Sequence, residues 1–243
     1  MPKTGKILAV LTLTAALFSQ NAVAESGFMD DYSKLKKRQN DMFGRIYIGP
    51  NTESQLAGVN SLMVDQPEIF MSPASKYKGA KPDALKMLSD TLRSTLVIKL
   101  EEGGYAIADQ PGSSTVYMRW AITDLYLKKK KRGLLAYTPV GFVVHSTVNA
   151  AVRDVWKKID IVELSIEAEF IDSVTGEVLA AVVMDRGHRK DKNKKQKQEL
   201  VSWEDLDGTM QTMAARLVCN LDNARSADGE REDCAAITVT VEE

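Results

Sequence analysis

Val162, Leu164, Ile166, Ala168 and Phe170 alternate with Glu163, Ser165, Glu167 and Glu169. The stretch Asp172-Ser173-Val174-Thr175-Gly176 then separates them from a run, 177–184, that is apolar on both faces. Period-two alternation marks a strand with one covered and one wet face, whereas a strand apolar on both sides needs cover on both. The pair predicts a β-hairpin whose second strand is interior to a sheet, with the glutamates of the first strand on a solvated face.

A second alternation supplies a neighbour for that hairpin. Val116, Met118, Trp120 and Ile122 interleave with Tyr117, Arg119, Ala121 and Thr123, which predicts a half-buried strand over 116–127, and its pairing antiparallel with 162–171 is taken as a supposition. Helical spacing appears at Leu85, Leu88, Leu92, Leu96 and Leu100, with Gly103-Gly104 as the stop, and again at Leu206, Met210, Met213, Leu217 and Leu221. Ser202 and Asp205 form a capping-box pattern ahead of the second stripe. A further helix is read over 138–156, where Thr138 and Pro139 stand at the N-cap and first-turn positions. Arg45–Ile48 reads as a strand ended by Gly49-Pro50, and 62–64 and 68–71 are weaker strand candidates. Ile237, Val239 and Val241 are either a short terminal strand or a frayed tail. The expected architecture is one α+β domain, a mostly antiparallel β-sheet packed by amphipathic helices over 83–102 and 202–224.

Compartment is read from the opposite end of the chain. Lys3 and Lys6 precede an uncharged apolar run, 7–18, and the small residues Ala22-Val23-Ala24 follow. That order is the pattern of a secretory signal peptide cleaved after Ala24. A membrane anchor would need roughly 20 apolar residues. The expectation is a signal peptide over 1–24 and an exported, periplasmic domain over 25–243, with an extended segment at 25–44 and a tail at 226–243. Only Cys219 and Cys234 are present. In an oxidising compartment such a pair predicts a disulfide.

Acidic and basic residues nearly cancel, 33 against 32, so electrostatic function has to come from local clustering. Two clusters stand out. Lys128, Lys129, Lys130, Lys131 and Arg132 follow the strand 116–127, and Arg186, Arg189, Lys190, Lys192, Lys194, Lys195 and Lys197 follow the hairpin. With the pairing above, both runs leave the sheet at one edge and form a basic rim suited to an anionic lipid or polysaccharide surface or an acidic envelope protein; solvated loops are the alternative. Nucleic acid is disfavoured by the compartment and by the lack of interleaved aromatics. His145 and His188 have no metal-ligand spacing, no phosphate loop or Gly-x-Ser-x-Gly occurs, and no motif implies a cofactor.

Ser26-Gly27-Phe28, Asp31-Tyr32-Ser33 and Leu35, with YTPVGFVV at 137–144, LSIEAEFIDSVTGEVLAAVV at 164–183 and SWEDLD at 202–207, resemble a bacterial lipoprotein-like family, domain of unknown function 3313. The resemblance implies an envelope protein and no particular activity. It departs at Ala24-Glu25, where many members carry an acylated cysteine. More remotely, the order of elements is similar to small periplasmic modules such as the TolB amino-terminal domain, which bind other proteins. Phe28, Tyr32 and Leu35 form a candidate docking segment, set either against a partner or against the body of the domain. The expected role is an envelope interaction module docking to a protein or an anionic surface. A hydrolase acting on envelope material and a structural accessory subunit are the alternatives.

Overall fold

A computed structural model describes residues 25–38, 43–72, 82–129, 159–186, 203–226 and 230–239. The signal peptide expected at 1–24, the helix expected at 138–156, both histidines, Ser202 and most of the two basic runs lie outside the described residues. The strands are β1 (Lys36–Lys37), β2 (Arg45–Ile48), β3 (Ser61–Val64), β4 (Glu68–Met71), β5 (Ala106–Ile107), β6 (Thr115–Lys129), β7 (Ile159–Asp172) and β8 (Val178–Arg186). The α-helices among the described residues are α1 (Thr52–Leu56), α2 (Pro82–Glu102) and α3 (Trp203–Arg225). None of them is long and apolar enough to cross a membrane.

The strands form one sheet in the order β1-β2-β8-β7-β6-β3-β5, with β4 also on β6. Its centre matches the alternation. β6 pairs antiparallel with β7 from Val116↔Asp172 to Lys129↔Ile159, and β8 returns along β7, interior between β7 and β2. Asp172 closes the hairpin by accepting from Val174 N and Thr175 N at 2.9 and 2.7 Å, and Gly176 takes the left-handed φ of +75° that the turn requires.

The sheet is mixed: β1, β2, β8, β7 and β6 are antiparallel, as expected of most of it, and the remaining strands are not. β3 and β4 run parallel to β6, and β5 runs parallel to β3. The cause is the long helix between them: α2 carries the chain back across the sheet, and such a crossover returns a strand parallel to the one before it.

Even-numbered residues at the start of β6 and along most of β7 face the helices. Leu88, Leu92, Leu96 and Leu100 of α2 and Leu206, Met210 and Leu221 of α3 close over Val116, Met118, Trp120, Ile122, Ile166 and Ala168. Beyond Thr123 the facing residues become Leu125 and Leu127, because Asp124 adopts φ +53° in an irregular stretch where the pairing slips between Thr123 and Tyr126 and slips back between Tyr126 and Leu127. α2 stops at Gly103-Gly104 as expected, with Gly104 at φ +82°.

The other face of the sheet is covered as well. Residues 25–35 form a strap across it, and Phe28, Met29 and Tyr32 bury themselves against Ala121, Ala181 and Val183. Phe28 meets Phe70 edge-on at 6.5 Å between centroids, and the Arg119 guanidinium lies 4.4 Å from the Phe28 ring. The docking segment is therefore packed against the body, with Leu35 half-buried at its margin.

Candidate functional site

The helix layer does not cover the whole sheet. α3 and α1 stand off from the turn end of β7 and β8 and from β2, leaving a cavity of 430 Å³. Its floor is Ile46 of β2, Val116 and Met118 of β6, Phe170 of β7 and Leu179 and Val182 of β8. Met213, Leu217 and Leu221 of α3 form one wall and Leu56 of α1 adds to another. Polar groups reach the lining through Arg38, Glu53, Arg216, Asn220, Asn223 and Arg231.

One side of the rim is a tail laid back along α3. Cys219 and Cys234 are joined, with Cα atoms 5.7 Å apart. Asn223 donates to Glu232 O at 2.8 Å and accepts from Glu232 N at 2.9 Å. Arg216 Nε donates to Ile237 O at 3.0 Å, and Val239 N donates to Thr212 Oγ1 at 3.0 Å. Arg231 pairs with Glu53 of α1. Residues 237–239 are thus held by side chains of α3 and form no strand; Cys234–Ala236 is a single 3₁₀ turn. A strand would need an edge to join, and this tail lies on a helix.

On the strap face a polar cluster is buried where the sequence suggested solvent. Glu167 and Glu169 are 3% and 7% exposed, so the acidic face expected to be wet is covered by the strap, while Glu163 is exposed. Tyr32 donates its phenol to Glu167 Oε2 at 2.6 Å and accepts from Phe28 N and Met29 N at 3.1 Å each. Thr123 donates to Glu167 Oε1 at 2.9 Å. Arg119 reaches Glu169 at 3.2 Å and donates to Phe28 O at 2.6 Å. Burial pushes the Tyr32 phenol above its ordinary value, with the Glu167 bond adding to it. The cluster satisfies its own polar atoms and fixes the strap, which is a structural use of its groups. The signal in the sequence was Arg119 at a strap-face position of β6 together with an aromatic, acidic opening stretch.

Glu169 carries a pH prediction. Its carboxyl is raised above the ordinary 4.5, by burial first, then by the nearby Asp30 and Glu167 charges, against the lowering influence of Arg119. The folded state therefore holds this proton to higher pH than the unfolded chain does. Through this group, stability declines as pH rises from about the ordinary value through the raised folded value. Urea midpoints of the native protein and Glu169→Gln, compared across that window, should diverge with pH. Parallel profiles would show that Glu169 titrates normally.

Among the described residues, no group of three or more His, Cys, Asp or Glu side chains is placed to hold a metal ion. A family profile described as "Protein of unknown function (DUF3313)" matches residues 24–217. The chain belongs to the DUF3313 family. Within it, the strap, the sheet and most of α3 fall inside the match, whereas Cys219, Cys234 and the tail fall beyond it. No curated protein matches the chain. Among solved structures, the PelC dodecamer from Paraburkholderia phytofirmans is 15% identical, with TM-score 0.35 and 73% of this chain and 94% of that one covered. A neuraminyllactose-binding hemagglutinin homolog from Helicobacter pylori is 9% identical, with TM-score 0.36 and coverage of 68% and 85%. Scores this low carry nothing about function.

For this DUF3313 member the structure describes only where the two basic runs begin. β6 and β8 flank β7 and both run against it, so they leave the sheet at the same end. The last pair of β6 is Lys129↔Ile159 and the last of β8 is Leu164↔Arg186, five positions apart on β7. Lys128 is exposed. Lys130, Lys131, Arg132, Arg189, Lys190, Lys192, Lys194, Lys195 and Lys197 lie outside the described residues. The cavity is at the opposite end, beside the 172–176 turn.

Proposed function

We propose that this chain is an exported envelope module that acts by docking, and that the end of the sheet carrying the runs 128–132 and 186–197 meets an anionic lipid surface. The observation that carries the reading is the shared direction of β6 and β8 on either side of β7. Five strand positions separate the two exits, roughly 17 Å along β7. That is shorter than the Debye length of about 30 Å at 0.01 M salt and longer than the roughly 8 Å of physiological ionic strength. The two runs act as one field at low salt and as two patches at higher salt. Among the described residues, the strap packs on one face of the sheet and α2 and α3 on much of the other, which favours an end of the sheet for the approach of a planar partner. The resemblance of element order to TolB-like periplasmic modules is an analogy that supports docking without naming what is docked.

Co-sedimentation with vesicles tests this. Binding is expected to vesicles containing anionic lipid and not to purely zwitterionic ones, to weaken steeply with salt, and to be lost when the basic residues of both runs are changed to Gln. Equal binding to the two vesicle types, or binding unchanged after neutralisation, would refute the surface.

A further inference from the structure

The cavity under α3 has the size of a small-molecule site, since such sites run from about 300 to 1,000 Å³. Its floor supplies side chains with no hydrogen-bond donor and no acceptor stronger than a thioether: Val116, Met118, Phe170 and Val182, facing Met213 and Leu217. A ligand with polar groups along its length, such as a sugar or an extended peptide, would leave them unpaired there, and unpaired buried polar groups are costly. An alkyl chain has no such groups. Charge is biased as well. Of the ionisable side chains in the lining, Arg231 and Glu53 pair with each other, and Arg38 and Arg216 give the lining its positive sign. Arg216 is 9% exposed, so a positive charge is held against this apolar space by the fold itself.

We propose that the cavity binds a single-chain amphiphile with an anionic head, of the fatty-acid class, its chain lying between the sheet and α3 and its carboxylate among the arginines. The site is separate from the basic end of the sheet, so neutralising the runs 128–132 and 186–197 leaves it intact.

The probe is a series of saturated fatty acids of increasing length, each below its micelle concentration, titrated calorimetrically into the full exported chain. Binding is expected at one per chain, strengthening about fourfold per methylene until the cavity is full. Ala180→Trp fills the space from β8 and Leu217→Trp fills it from α3, both residues being partly exposed and in the lining. Each is expected to weaken binding at least tenfold while its circular dichroism stays native, and two positions guard against one failing to fold. Arg38→Gln, which leaves the Arg231–Glu53 pair in place, is expected to reduce the preference for a fatty acid over the matching fatty alcohol. Saturable binding that is absent, independent of chain length, or unchanged in both filled variants overturns the proposal. So does a dimer that Ala180→Trp dissociates with no change in fatty-acid binding, because the cavity would then be covered by a second copy.

Discussion

Phe28→Ala is expected to lower the unfolding free energy by about 3–5 kcal/mol, the range for deleting a fully buried phenyl ring. Phe28 is 1% exposed although it lies only a few residues from the start of the described chain. Three things converge on it: the edge of Phe70, the Arg119 guanidinium over its face and the Arg119 bond to its carbonyl oxygen. Removing the ring deprives Arg119 of its stacking partner and opens the cover over Glu167 and Glu169, so the loss exceeds the apolar area alone. Urea unfolding followed by tryptophan fluorescence measures the global effect. Limited trypsin digestion at Lys34, Lys36 and Lys37 measures the strap. Both should respond, with a lower midpoint and faster cleavage. If cleavage accelerates while the midpoint stays put, the strap detaches on its own and its burial does not support the sheet.

Local patterns were legible wherever one element carried its own signal. The alternation in 116–123 and 162–170 gave two strands and the residues that share each face, their supposed antiparallel pairing is the one β6 and β7 adopt, and the leucine spacing gave α2 and its glycine stop. The turn at 172–176 was readable because Asp172 and Gly176 are the residue types it needs. What failed depended on partners distant in sequence. Glu167 and Glu169 look solvated on their strand; the phenol that covers Glu167 comes from Tyr32, 135 positions away. β5 has two residues and β3 and β4 four each, too short for a period to declare direction, so the parallel pairing follows from the path of α2. α1 was missed for the same reason, being five residues long without a stripe. The cavity is a gap between α1, α3, the tail and the sheet, and a gap between elements has no sequence signature. The paired cysteines, by contrast, were predicted from their number, their closeness in sequence, the helical placing of Cys219 and the expected compartment, and they are bonded.

That bond supports the second large expectation. Changing Cys219 and Cys234 together to Ser should cost about 3 kcal/mol, because the link closes a loop with a sequence separation of 15 and removes that freedom from the unfolded chain. The folded side contributes too. Without the link, the tail is held by Asn223, Arg216 and Thr212 through hydrogen bonds, each worth about 1 kcal/mol net. Those bonds form only after the tail has been brought back to α3, so the staple and the side-chain clamps are coupled and their losses will not add. Arg231 and Ala235 reach the cavity rim only through this tail, so the double-Ser chain is also expected to bind fatty acids more weakly. The comparison that decides between staple and clamps is the double-Ser chain against Asn223→Ala with the disulfide intact, both by urea unfolding. A double-Ser chain as stable as the native one would mean that the clamps alone seat the tail. A large loss in the double-Ser chain with little in Asn223→Ala would place the tail's stability in the covalent link.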